Sequence, residues 1–310
     1  MTPLALKMAG SLRQYWRQRA GYQTFLYAVS IVMLASGIFH TVVFVLSGTS
    51  WEGPVSWRKP MLFGYSFSVT TVALGWIMTF LPRRRLLGWL LALSLGVASI
   101  LEVGLITMQR WRGVPSHFNA ATSFDSTVFI LMGAMVSVVA TVIVAITVWS
   151  IVELKAPATL RLAIRAGLFL LIIGQGLGGV IIAVGGSQAT GPASTNTVFG
   201  PQGVLLGAAG VLKEPHGIAL HAIQVLLFLA WLTLFTSWSE HRRLTVVAVA
   251  TAGYSLLLLV IAGQAFTGRV AFDLNLLTLA ALAASVALLV GAYGAVVFGL
   301  LRPLARTEPN

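Results

Sequence analysis

Eight stretches of this chain are continuously apolar, and short polar segments separate them. They cover approximately residues 25–47, 61–81, 86–108, 126–150, 166–186, 217–238, 246–267 and 276–301. At about 1.5 Å rise per residue, roughly 20 apolar residues cross the hydrocarbon core of a bilayer. None of the stretches alternates with the period of two that a membrane barrel strand requires. The pattern predicts an all-α fold, a polytopic membrane helix bundle of eight transmembrane helices. The first stretch is too long for a signal-peptide core and has no small-x-small site after it, so no cleavage is expected.

Composition agrees with that reading. Hydrophobic residues make up 57% of the 310, charged residues 9%, and mean hydropathy is +0.90. A soluble domain carries about a quarter charged residues, so this surface is built for lipid. The net charge of +12 does not imply nucleic acid, because the basic residues lie in short clusters between apolar stretches. With no cysteine in the chain, disulfides, dithiol redox chemistry, iron–sulfur clusters and thiolate-bound metal are excluded.

The clusters also set an orientation. One set of loops carries Lys7, Arg13, Arg17, Arg19, Arg83, Arg84, Arg85, Lys155, Arg161, Arg165, Arg242, Arg243, Arg302 and Arg306; the other carries Arg58, Lys59, Arg110, Arg112, Lys213 and Arg269. The richer set belongs in the cytoplasm. Both termini are therefore expected inside (N-in/C-in) in a multi-pass cell-membrane protein. Residues 1–24 place Leu4, Met8, Leu12 and Tyr15/Trp16 at helical spacing opposite Arg13 and Arg17, as an interfacial helix on the inner leaflet would.

Three motifs recur in the same order in the two halves. Gly48-x4-Gly53-Pro54-x-Ser56 is matched by Gly186-x4-Gly191-Pro192-x-Ser194. Arg58-Lys59-Pro60 is matched by Lys213-Glu214-Pro215, with Trp76/Phe80 and Trp231/Phe235 at equal distances beyond the prolines. Gln109-Arg-Trp111-Arg-Gly113 is matched by Gln264-Ala-Phe266-Thr-Gly268, each followed by a Phe-Asp pair, Phe124-Asp125 and Phe272-Asp273. From Pro60 to Gly113 the offset is constant (215 − 60 = 268 − 113 = 155). The expected organisation is a tandem parallel repeat of a four-helix unit. Its copies cover 25–150 and 166–301, with a cytoplasmic interfacial segment at 1–24, a linker at 151–165 and a tail at 302–310.

The histidines are not repeated: His40 aligns with Gly178, His216 with Met61, and His221 with Ser66. Function is expected where the halves differ. Counting from the loops, His40, Glu102 and His221 lie about 12, 10 and 9 Å deep, one level in the outer half. Glu102 is the single acid inside a predicted span, and an ionisable group there costs several kcal/mol unless paired or wetted. The three are candidate ligands of a divalent metal with an open position, or, for the two histidines, of haem b. The alternatives are plain interhelical hydrogen bonds or a proton relay.

Above that level lie His117 and Asp125, candidate catalytic groups with Ser116 and Asn119, although no nucleophile motif accompanies them. Candidate ligand-binding residues are Arg58, Lys59, Lys213, Glu214, His216, Gln224, Gln264, Arg269 and Asp273. The basic helix ends suit an anion such as a phospholipid headgroup, or serve as membrane anchors. Glu52 with Arg58/Lys59, Lys213 with Glu214 and Arg269 with Asp273 are expected charge pairs. Residues 204–212 turn apolar and are read as a re-entrant or surface-lying segment, or a connector. The inner halves are nearly bare of ionisable groups.

The sequence therefore points to a polar His/Glu site opening outward. It suits an embedded enzyme or metal- or haem-binding protein acting on a lipid- or quinone-like ligand. A proton-coupled small-molecule transporter and a non-catalytic receptor or assembly subunit are the alternatives.

Overall fold

The computed structural model describes residues 3–190 and 203–301. Among them, helix α1 (Pro3–Gln18) precedes the long helices α2 (Gly21–Ser47), α3 (Arg58–Ile77, prolonged by a 3-10 turn Met78–Phe80), α4 (Arg85–Trp111) and α5 (Ser123–Glu153). Helix α6 (Ala158–Thr190), a short hairpin of β1 (Leu205–Leu206) and β2 (Gly210–Val211), and helices α7 (Lys213–Thr233), α8 (Glu240–Phe266) and α9 (Leu276–Leu301) complete the order. Eight of the helices are long and apolar enough to cross a membrane. The chain is an integral, multi-pass membrane protein. The Gly191-Pro192-x-Ser194 motif and the tail at 302–310 lie outside the described residues.

The ends of the spans define two faces. At the near face α2 begins, α3 ends and α4 begins. The contacts there are Lys155 N–H to the Phe80 carbonyl at 2.9 Å, Thr159 N–H to Glu240 Oε1 at 2.9 Å, and the ion pair of Arg84 with Glu153. At the far face lie the α2–α3, α4–α5, α6–α7 and α8–α9 connections.

Water-free surroundings force each helix to satisfy its own backbone, and association then depends on close packing of small residues. Gly64 of α3 sits so close to α2 that an added Cβ would stand 2.9 Å from Gly37 Cα and the Met33 carbonyl. A Cβ added to Gly174 of α6 would stand 3.0 Å from Leu220 of α7, and one added to Gly253 of α8 would stand 2.8 Å from Leu288 and 3.0 Å from the Ser285 carbonyl of α9. The main core runs through both halves, from Leu26, Leu74 and Leu95 to Ile164, Leu226 and Val247. Leu46, Leu86 and Leu276 are more than four-fifths exposed, which only a lipid surround makes tenable.

Helix ends obey local chemistry. Thr122 caps α5 by accepting from Asp125 N–H, and Ser239 caps α8 by accepting from Arg242 N–H. Helices α4 and α8 both have 27 residues and both their ends lie 155 apart (240 − 85 = 266 − 111). Both close with a left-handed glycine, Gly113 at φ +73° and Gly268 at φ +74°. The next N–H, of Val114 or Arg269, returns to the Gln109 or Gln264 carbonyl.

One expectation changes. The segment 204–212 is a hairpin pinned to the far end of α8, with Ala209 N–H on the Gly268 carbonyl and Gly210 pressed against the Ala265 carbonyl. Glycines on both sides permit that backbone-to-backbone approach. Helix α1 docks on the near-face end of the bundle through Met8 and Tyr15.

Overpacking the α2–α3 crossing should be costly. Gly64→Val is expected to destabilise by about 1–3 kcal/mol, read as a lowered unfolding temperature in detergent. Gly104→Ala and Gly133→Ala, where an added Cβ meets nothing within 4 Å, should change stability by less than about 1 kcal/mol.

Candidate functional site

Helices α3 and α7 meet face to face, and along that seam residues 155 positions apart touch. Ser66 Oγ lies 3.4 Å from His221 Nε2, and the Trp76 and Trp231 rings meet edge-on with centroids 6.3 Å apart. Between them the Gln224 side-chain amide hydrogen-bonds Thr70 Oγ1 at 3.0 Å. The seam is thus polar through its far half. Towards the near face it is closed by Trp76, Phe80, Trp231 and Phe235, with Tyr15 of α1 packed edge-on to Trp76 and Phe80.

The far mouth of the seam is cationic. Arg58, Lys59 and Lys213 occupy the first turns of α3 and α7. The charges of Arg58 and Lys213 both act on Lys59, and Glu52 and Glu214 act on Lys213. Aligned N–H groups at the two helix starts add to the positive field. Glu52 and Glu214 thus lie near Lys213; among the described residues Glu52 forms no ion pair with Arg58 or Lys59, and Arg269 and Asp273, both exposed, form none with each other.

The α4–α5 connection lies over the mouth. Ser116 Oγ is 3.5 Å from Lys59 Nζ and 2.9 Å from His117 Nδ1. The His117 ring sits among Phe63, Phe118 and Phe129. Burial among these rings, and then the Lys59 charge, lower its pKa to about 3. Such an imidazole stays neutral at physiological pH and is a feeble general base, since an efficient base titrates near the working pH. Phe118 holds φ +57°, the sole non-glycine at positive φ among the described residues. That conformation costs of order 1–3 kcal/mol, and it drives the ring onto Gly185 of α6 and Val204.

Asp125 is engaged elsewhere. Its carboxylate accepts from Gln109 Nε2 at 2.9 Å, Thr122 Oγ1 at 2.7 Å and Arg112 at 2.6 Å. Asn119 ties the loop to itself through the Pro115 carbonyl and Ala121 N–H. The expected catalytic grouping of Ser116, His117, Asn119 and Asp125 therefore divides into a Lys59–Ser116–His117 contact and a separate loop-anchoring network. Gln264 does the matching anchoring in the second half, on the Asp273 carbonyl.

His40, Glu102 and His221 do not assemble. Among the described residues no group of three or more His, Asp or Glu side chains can hold a metal ion. The reason lies in their partners. His40 Nδ1 donates to the Ser36 carbonyl at 2.7 Å, which leaves Nε2 to accept from Trp111 Nε1–H at 3.2 Å. Both ring nitrogens of His40 are thus hydrogen-bonded, and its ring stacks on Trp57. The Arg110 guanidinium lies over the same Trp57 ring, 3.7 Å from its centroid. His221 faces the seam, and His216 donates from Nδ1 to the Gly174 carbonyl at 2.7 Å. Glu102 and Ser99 are buried on one face of α4 with Glu102 Oε2 and Ser99 Oγ unpartnered.

Sequence reasoning did not single out Trp57, Phe118, Ser66 or Thr70. Ser66 was within reach, because it aligns with His221 at the offset of 155 residues. Comparisons with family models, curated proteins and solved structures find no match.

His117 generates a pH signature. Its folded pKa lies below the unfolded value of about 6.5, so its contribution to stability is complete above pH ~6.5 and is lost as pH falls towards 3. The slope is at most about 1.4 kcal/mol per pH unit, less for its partial exposure. Thermal unfolding from pH 7 to 4 should show a decline that His117→Gln flattens; an unchanged profile in that variant would refute the assignment.

Proposed function

We propose that the protein binds an amphiphilic, lipid-like anion at the far mouth of the α3–α7 seam. The carrying observation is the convergence of Arg58, Lys59 and Lys213 above a seam whose far half is polar and whose near half is closed by aromatic rings. Like charges held together repel, and an anionic headgroup removes that cost. Lys59 and Ser116 supply donors for it. Phe63, Phe118 and Phe129 offer an apolar wall for the attached chain or ring. Neutral His117 fits the role of hydrogen-bond partner better than that of base.

The frame of this reading is a parallel duplication of a four-helix unit with a pseudo-two-fold axis along the seam. The equal lengths and offset of α4 and α8, their shared glycine closures and the Ser66–His221 and Trp76–Trp231 contacts support it. The far face is then the outer one, because the near face gathers most of the basic loop residues. Since the chain has no native cysteine, single cysteines at Thr49 and Ser239 and an impermeant maleimide test this on intact cells. Thr49→Cys should label and Ser239→Cys should not.

Binding is tested by titrating detergent-purified protein with short-chain phosphatidylglycerol and phosphatidylcholine. The anionic lipid should bind at least about tenfold tighter. Lys59→Gln should weaken it about tenfold, equivalent to about 1.4 kcal/mol, while Arg269→Gln should not. Equal affinity for both lipids, or no effect of Lys59→Gln, sinks the proposal.

A second reading, proton-coupled transport, draws on unpartnered Glu102 and Ser99. It requires the near-face aromatic closure to open. Proton flux in proteoliposomes that disappears in Glu102→Gln would promote it.

A further inference from the structure

Helix α1 belongs to neither four-helix unit, yet it touches both at the near end of the seam. Tyr15 packs on Trp76 and Phe80 of the first half, with centroids 5.5 and 5.8 Å away. Ser11 Oγ accepts from Trp231 Nε1 of the second half at 3.3 Å. The helix therefore straddles the place where Trp76 meets Trp231. Its other contacts hold its end in position: Arg83 donates to the Gln18 carbonyl, and Trp16 stacks on Tyr27 of α2.

At 100° per residue, α1 divides into three sectors. Leu4, Met8, Ser11 and Tyr15 fall on one line and are half-buried against the bundle. Leu12 and Trp16 fall on the adjacent flank and are 55% and 51% exposed. Arg13, Arg17 and Lys7 share the remaining arc, all exposed. An apolar flank beside a basic one is the surface that an anionic leaflet receives. Trp16 both stacks on Tyr27 and stays half exposed, whereas Leu12, Lys7, Arg13 and Arg17 lie off the docked line, so lipid binding at those residues and docking are simultaneous and not competitive.

We infer that α1 is a clamp on the near end of the seam, and that its exposed flanks bind the anionic phospholipids of the near leaflet, which hold the clamp shut. The inference is independent of what the far mouth binds.

The test uses the absence of native cysteine. Ser11→Cys, made in a Trp16→Phe background and labelled with bimane, places the dye against Trp231, which quenches it on contact. In nanodiscs of phosphatidylcholine with 30% phosphatidylglycerol the dye should be quenched; in pure phosphatidylcholine it should be at least about twofold brighter. Replacing Lys7, Arg13 and Arg17 with Gln, which touches no docked residue, should abolish that difference. Unlabelled protein provides the second measurement: anionic lipid should raise the unfolding temperature of the wild type and raise it less in Tyr15→Ala. Equal brightness in both lipids, greater brightness in the anionic discs, or a lipid effect undiminished in the triple variant would each overturn the clamp.

Discussion

Polar atoms buried between helices in a bilayer have no water to fall back on, and the pairing of α3 with α7 is built on that constraint. Ser66, Thr70, His221 and Gln224 are each half-buried, and each finds its partner on the opposite helix. Interhelical hydrogen bonds in membranes contribute modestly, about 0.6 kcal/mol on average. Their larger effect is geometric, because separating the helices leaves both partners unsatisfied. The polar groups thus set the register of one half on the other, and the cations at Arg58, Lys59 and Lys213 converge only in that register.

The two ends of the seam are treated oppositely. At the near end, aromatic rings meet edge-on, a favourable arrangement that excludes water and needs few hydrogen bonds. At the far end, a loop whose conformation is strained at Phe118 covers a cluster of charge. Strain persists where surrounding contacts over-determine it, and here the contacts are Gly185, Val204 and the ring of Phe129. The same loop carries Ser116 to Lys59. A residue from the first half, wedged on the second, thereby fixes the position of a hydroxyl over the mouth.

Much of the fold was legible in the sequence. Eight apolar stretches became eight long helices because hydrocarbon leaves a helix as the one local way to satisfy the backbone, and α3 and α7 start at Arg58 and Lys213, each two residues before its proline. The site was legible only in part. Depth along the membrane can be counted in residues, so His40, Glu102 and His221 were given one level; azimuth around the bundle cannot. His40 turns towards Trp57 and Trp111 and His221 towards α3, while Glu102 is buried without a partner for Oε2. Loops failed for a different reason. Residues 204–212 are apolar because they pack on α8 as a hairpin, and apolar content without periodicity does not distinguish that from a membrane-lying segment.

Under the offset of 155 residues, Trp57, Arg110 and Trp111 correspond to Leu212, Ala265 and Phe266. In the second half this corner is covered by the chain itself: Gly210 lies on the Ala265 carbonyl, and Leu212 and Ala265 share a buried cluster with Val204. In the first half no hairpin exists among the described residues, and the corner is filled by side chains instead. Trp57 is buried between His40 and Arg110, while Trp111 stays 57% exposed. Helix α6 carries Gly178 where α2 carries His40, and the ring of His216 enters that notch from α7. Each half thus brings a histidine to its first helix pair, from opposite partners. Large rings replace backbone on one side, and backbone replaces rings on the other. Corresponding space in the two halves is thus filled by different material, and the cation of this corner, Arg110, has the buried Ala265 as its counterpart under the same offset.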